Sequence, residues 1–181
     1  MHEVRARVGL RPDAAQLLHL QRALERARRT KDERAIAYAQ NMLGNSYVAQ
    51  GALRKAIGYF RPAVELYDRI GDVPRQAAAH NNLGISYQDL GILDLALEEY
   101  RRALEADERV GDRVDALIIH NNIGEVLLFQ GHLDEAAAHF REVIEGNDGD
   151  ADLTAVAGLS HVNLCRAAIA RRDLVSADAE I

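Results

Sequence analysis

An all-α solenoid of antiparallel helix pairs is the fold this sequence predicts, and three observations predict it. The run Ala-Gln-Asn-Met-Leu-Gly-Asn-Ser-Tyr at 39–47 recurs as Ala-His-Asn-Asn-Leu-Gly-Ile-Ser-Tyr at 79–87 and as Ile-His-Asn-Asn-Ile-Gly-Glu-Val-Leu at 119–127, with an offset of 40 both times. A second glycine follows each block, at Gly51, Gly91 and Gly131, and an aromatic follows nine residues later, at Phe60, Tyr100 and Phe140. Between these markers the apolar residues step by three and four: Ala79, Leu83, Tyr87 and Leu90, then Leu93, Ala96, Leu97, Tyr100 and Leu104. That is the period of two amphipathic helices per unit. A supersecondary unit repeated at fixed spacing buries its apolar face by stacking on its neighbours.

Taken in order, residues 12–30 read as the second helix of a unit whose first helix is missing, because Leu17, Leu20, Ala23 and Leu24 match Leu97, Tyr100, Ala103 and Leu104 at twice the period. Pro12 would open that helix. Repeat one spans 33–72, repeat two 73–112 and repeat three 113–152, and 153–181 is a degenerate, truncated fourth copy within one domain covering 1–181. In the fourth copy His161-Val162-Asn163-Leu164-Cys165 sits one residue out of phase, and Cys165 and Arg172 replace the two glycines. The chain is expected to end a few residues into that copy's second helix. With no polar capping helix at either end, it reads as a piece of a longer protein or as one that hides its ends by self-association.

Local chemistry supports the helix ends. Gly91 suits the position after a first helix, where φ > 0 is cheap without a Cβ. Asp94 and Asp134 fall in first turns, where a carboxylate offsets the helix dipole. Units are separated by Gly71-Asp72 and Gly111-Asp112, and Pro74 fits a first turn. Gly44, Gly84 and Gly124 are mid-helix, where glycine costs up to ~1 kcal/mol against alanine, so close approach of the paired helix is expected there. Pro62 lies inside a second helix, removes a hydrogen bond at a cost of ~3 kcal/mol, and predicts a kink or break near 58–61.

Composition bounds the function classes. The 28 acidic residues outnumber the 22 basic ones, and a net charge of −6 supplies no general pull toward a phosphate backbone, so nucleic acid is not an expected partner. No stretch reads as the ~20 apolar residues of a membrane span, and the N-terminus lacks a signal peptide's apolar run, so a cytoplasmic address is expected. Cys165 is the single cysteine, so no intrachain disulfide forms, and a small packed residue is the plain reading of it. Only Lys31 and Lys55 among the basic residues are lysine, a usage that points to a GC-rich bacterial genome.

Metal and catalytic constellations do not emerge. His80, His120 and His161 recur at one repeat position, yet equivalent residues on stacked units lie at least ~8–10 Å apart, too far for zinc, which needs Zn–N of ~2.0–2.1 Å. They read as packing positions, and His132 and His139 as isolated, solvent-facing residues. Residues 147–152, Asn-Asp-Gly-Asp-Ala-Asp, lack the glycine and glutamate that an EF-hand loop requires and read as an acidic turn. No Ser-His-Asp order, phosphate-cradling loop or zinc motif is present. Neither a cofactor nor enzymatic activity is expected.

The run Leu-Gly-x-x-Tyr-x-x-x-Gly-x-Leu-x-x-Ala-x-x-x-Tyr-x-x-Ala at 83–103 resembles the tetratricopeptide repeat, and the resemblance covers about 12–181. The period of 40 is similar to the long-helix subclass found in kinesin light chains, spindle-polarity adaptors and bacterial signalling regulators. The resemblance implies a right-handed superhelix whose first helices line a concave groove for a peptide or helix. Numbered from the start of that motif, positions 2, 6, 9 and 13 face away from the buried stripe. They hold Tyr38, Met42, Asn45 and Ala49; Ala78, Asn82, Ile85 and Asp89; Ile118, Asn122, Glu125 and Phe129; Leu159, Asn163, Arg166 and Ala170.

Related superhelices carry an asparagine ladder on this face, a role the resemblance assigns to Asn82, Asn122 and Asn163, whose amides can pair with any peptide backbone. The alternative is that these amides meet solvent or bond to a neighbouring repeat's backbone. Tyr38, Ile118, Phe129 and Leu159 are expected as exposed apolar contacts, with Asn45, Asp89, Glu125 and Arg166 completing the face. Chaperone-binding relatives clamp a carboxylate with cations at positions 2, 5 and 6; here Tyr38, Asn41, Met42, Ala78, Asn81, Asn82, Ile118, Asn121 and Asn122 stand there, so no such clamp is expected. The expected function is a non-catalytic interaction module of a bacterial signalling or transcriptional regulator, binding a protein or peptide partner. Homo-oligomerisation through exposed repeat ends is the alternative.

Overall fold

The computed structural model describes residues 14–149 and 151–178 and is all-α. Eight helices follow in order: α1 (Ala14–Thr30), α2 (Glu33–Ala49), α3 (Leu53–Ile70), α4 (Val73–Asp89), α5 (Leu93–Val110), α6 (Arg113–Gln130), α7 (Leu133–Gly146) and α8 (Ala151–Asp178). Pro12, expected to open the first helix, lies outside the described residues. The chain divides into two compact units, 1–92 and 93–181. In the first, α1 packs on α2, α2 on α3 and α3 on α4, and α2 also touches α4. The second repeats the pattern with α5 on α6, α6 on α7, α7 on α8, and α6 against α8. Adjacent helix pairs with first helices side by side are the arrangement the period demands.

The glycines end and pair these helices as their positions require. Gly71, Gly91, Gly111 and Gly131 take φ of 68°, 75°, 75° and 84°, the left-handed region that favours a residue without Cβ. Lys31 stands 40 residues before Gly71 and adopts the same conformation, with φ 55°. Within the helices, a Cβ at Gly44 would collide with the ring of Phe60, and one at Gly124 would lie 2.7 Å from Phe140 Cε1. Both rings are fully buried, so the mid-helix glycines admit the paired helix.

Three expectations are corrected. Of the kink or break expected near 58–61, the break does not occur: α3 is one α-helix through Pro62. The carbonyl that loses its donor belongs to exposed Gly58, where water can serve it, and burial of Phe60, Ala63, Val64 and Tyr67 around the proline offsets the loss. α8 continues without a break past Arg172 to Asp178, because that arginine propagates a helix where a glycine would end it. A second helix of the fourth copy therefore does not begin within the described residues. Finally, Leu153–Arg172 is, by length and composition alone, apolar enough to cross a membrane, with a mean hydropathy of 1.3. One face of this segment, Leu153, Ala157, Ser160, Asn163 and Ala167, is buried in the second unit, and the Ser160 hydroxyl donates to Asn121 Oδ1 at 2.9 Å. Small apolar residues and a satisfied polar pair are what a core helix needs.

Candidate functional site

The first helices α2 and α4 in one unit, and α6 and α8 in the other, carry the residues expected to meet a partner. In the first unit Tyr38 is 52% exposed, Asp89 is exposed, and Asn45 and Asn82 are half-buried. Asn82 Nδ2 donates across to Asn41 Oδ1 at 3.5 Å, joining α4 to α2. In the second unit Phe129 is 82% exposed, Leu159 42% exposed and Arg166 exposed, while Glu125 is half-buried. Ile118, expected as exposed, is half-buried.

The amides behave differently from the aromatics. Asn122 and Asn163 retain only 8% and 7% exposure, which leaves little surface for a guest. Asn163 Oδ1 accepts from Arg166 at 3.1 Å. Asn121, one residue before Asn122, accepts from Ser160 and donates to Glu125 Oε1 at 3.3 Å. Asn82 with Asn41, and Asn121 with Ser160, thus join neighbouring first helices inside each unit through side chains, whereas the bond of Asn163 stays within α8. The accessible residues are Tyr38 and Asp89 in the first unit, and Phe129, Leu159 and Arg166 in the second.

The histidines depart from expectation. His80 is buried, with Nε2 3.7 Å from Asp68 Oδ1. His161 is exposed, and its ring bonds the carbonyl of Ala157 one turn back at 2.9 Å, so in the out-of-phase copy this position packs against nothing. His139 is neither isolated nor solvent-facing: it is half-buried, and its Nδ1 lies 2.8 Å from Nδ1 of His120. A usable signal lay in the repeat frame, since His120 precedes Gly124 by one turn and His139 precedes Phe140 by one residue. The contact of Phe140 with Gly124 therefore carries the two imidazoles together. Cys165, read as packed, is exposed. Among the described residues no group of three or more His, Cys, Asp or Glu side chains converges as a metal site.

Carboxylates show a second feature outside the expected face. Asp107 on α5 is 3% exposed, and its Oδ2 has no hydrogen-bond partner. Burial, then the charges of Asp115 and Asp112, push its carboxyl up to about 7. Tyr67 occupies the same repeat position 40 residues earlier, and there Asp72 is paired by Arg75 at 2.8 Å and Arg34 at 3.4 Å.

Comparison with known proteins gives a family match over part of the chain and a fold. Residues 75–147 match the family model described as tetratricopeptide repeat. No curated protein matches the sequence. The fold is similar to that of BtubC (BKLC) from P. vanneervenii, with a TM-score of 0.80 at 22% identity, covering 91% of this chain and 68% of that one. It is similar to a putative kinesin light chain with nearly identical TPR-like repeats from Podosopora anserina, with a TM-score of 0.70 at 17% identity over 91% of this chain and 83% of that one. A signal transduction ATPase with numerous domains and a tetratricopeptide repeat sensor, from Pyrococcus horikoshii, matches with a TM-score of 0.69 at 18% identity over 92% of this chain and 28% of that one.

Proposed function

Residues 75–147 match tetratricopeptide repeats, units that generally mediate protein–protein interaction, and from that premise we propose that the chain is a non-catalytic module binding a peptide or helix of a partner protein through exposed residues of its first helices. One observation carries the reading: each unit presents an aromatic on a first helix, Tyr38 at 52% exposure and Phe129 at 82%. Such side chains offer large contact area at small entropic cost and are enriched among binding hot spots. Asp89 and Arg166 are exposed charged residues on other first helices, and Asn45, Asn82 and Glu125 supply partly accessible hydrogen-bonding groups. Asn122 and Asn163 support the face from beneath.

We place the module in the cytoplasm, within a bacterial signalling or transcriptional regulator; the scarcity of lysine supports the bacterial source. The test is selection from a displayed peptide library on the purified chain, followed by affinity measurement of the enriched sequences. Tyr38→Ala and Phe129→Ala are each expected to weaken binding about 10-fold or more, the scale of a hot-spot truncation. Peptides that bind both variants as tightly as the parent chain remove this face from consideration.

A second reading, self-association, is favoured by α8, where Val162 and Ile169 are 59% and 62% exposed. Light scattering over a concentration series separates it from the first, since a strictly monomeric chain excludes it.

A further inference from the structure

The two imidazoles that meet between α6 and α7 form a device separate from the interaction face. Their ring centroids lie 5.0 Å apart with planes tilted by 41°, and their Nδ1 atoms are 2.8 Å apart. Two nitrogens at that distance must share one hydrogen: one ring donates from Nδ1 and the other accepts. A neutral pair satisfies this, with one ring in each tautomer, and so does a pair carrying one added proton. A doubly protonated pair does not, because both Nδ1 atoms then bear hydrogens aimed at each other.

We propose that His120 and His139 form a proton-linked latch that joins α6 to α7 while at least one imidazole is neutral and parts when both are protonated. Charged groups reach the pair from α7 and from α5. Glu142 on α7 and Glu108 on α5 favour protonation of His120, against burial. His139 is held down by burial first, then by His120 and by Arg101 on α5, with Glu135 and Glu142 opposing. Among the described residues α8, which packs on both α6 and α7, contributes no charge that moves either ring. Burial leads in both cases, so both imidazoles titrate below the ordinary value of 6.5 and do so as a coupled pair. For bases held down in this way the stabilising effect is present above the unfolded value of 6.5 and is lost as pH falls through the folded values.

α6 also carries Phe129, so opening the latch would loosen the helix that presents it; this consequence rests on the function proposed above, whereas the latch does not. The direct test is a two-bond ¹H–¹⁵N correlation spectrum of the histidine rings in the full chain. At pH 7.5 one of the two rings is expected as the Nδ1–H tautomer and the other as the Nε2–H tautomer. Two Nε2–H rings titrating independently near 6.5 would overturn the proposal. The second measurement compares thermal midpoints at pH 7.5 and 5.0 for wild type and His139→Asn, whose amide reaches the Nδ1 position but carries no titrating group. Wild type is expected to lose about 2–4 °C more than the variant, the shift that ~1 kcal/mol makes in a chain of this size. Equal losses would sink the latch, and neither measurement involves a binding partner.

Discussion

At the scale of single residues, Asp107 shows how a repeat position can be occupied against its neighbours' chemistry. The same position in the preceding copy holds Tyr67, a ring that fills the space with apolar atoms and is 1% exposed. A carboxylate at 3% exposure, with one oxygen unpartnered and Asp112 and Asp115 nearby, is stable in the fold only with its proton on. Its unfolded value is 3.8 and its folded value about 7, so the neutral form is the one that folding favours. The stabilising effect is complete below the unfolded value and is lost as pH rises through the folded one. Asp107→Asn removes the ionisation and keeps the shape. The variant is expected to be more stable than wild type at pH 8 by about 1–3 kcal/mol, because the buried carboxyl is charged there and the amide is not. Near pH 4 the gap should close, and urea denaturation at the two pH values measures it. A constant difference across that range would mean that the carboxyl is not protonated in the fold.

At the scale of elements, the junction between α1 and α2 departs from those that follow. Later junctions turn through Gly71 and Gly111, whereas Lys31 makes the same turn at φ 55° with a side chain attached. Asp32 then caps α2, accepting from the Ala35 N–H at 3.0 Å, so the chain must turn there to place its cap. A left-handed conformation costs a residue with a Cβ about 1–2 kcal/mol. Part of that is returned by the smaller entropy lysine loses relative to glycine on folding. Lys31→Gly is therefore expected to stabilise the chain by about 0.5–1 kcal/mol, read as an increase in the urea midpoint with no change in its slope. The spacing of 40 residues between Lys31-Asp32 and Gly71-Asp72 is visible in the sequence, but the conformation of a lysine is not: only glycine announces a positive φ by its identity. A destabilised variant would show that the lysine side chain makes a contact worth more than the strain.

At the scale of the whole molecule, the period carried the pairing of helices and the mid-helix contacts at Gly44 and Gly124, because each depends on the spacing of residues along one stretch of chain. Phe60 on Gly44 and Phe140 on Gly124 both follow from an aromatic sixteen residues after a glycine across one turn. The exposure of the first-helix residues was legible in part. Tyr38 and Phe129 are exposed as helical angles require, yet Asn122 and Asn163 are buried, because angle on one helix does not say how closely the next first helix approaches. The meeting of His120 with His139 was lost for a related reason: the residues sit at different repeat positions on different helices, and comparing equivalent positions could not join them. Each unit holds together through contacts between helices adjacent in sequence or between neighbouring first helices. In such arrays stability is a sum of local and nearest-neighbour contributions. Gly124→Ala forces the added methyl against Phe140, a ring with no exposed surface, and overpacking of that kind costs about 1–3 kcal/mol beyond alanine's helical preference. Because Gly124 and Phe140 both belong to the unit 93–181, native-state hydrogen exchange should show protection lost across α5 to α8 by that amount. Amides of α1 to α3 should change by less. Equal loss throughout would mean that the chain opens as one cooperative block, and the nearest-neighbour account of its stability would fail.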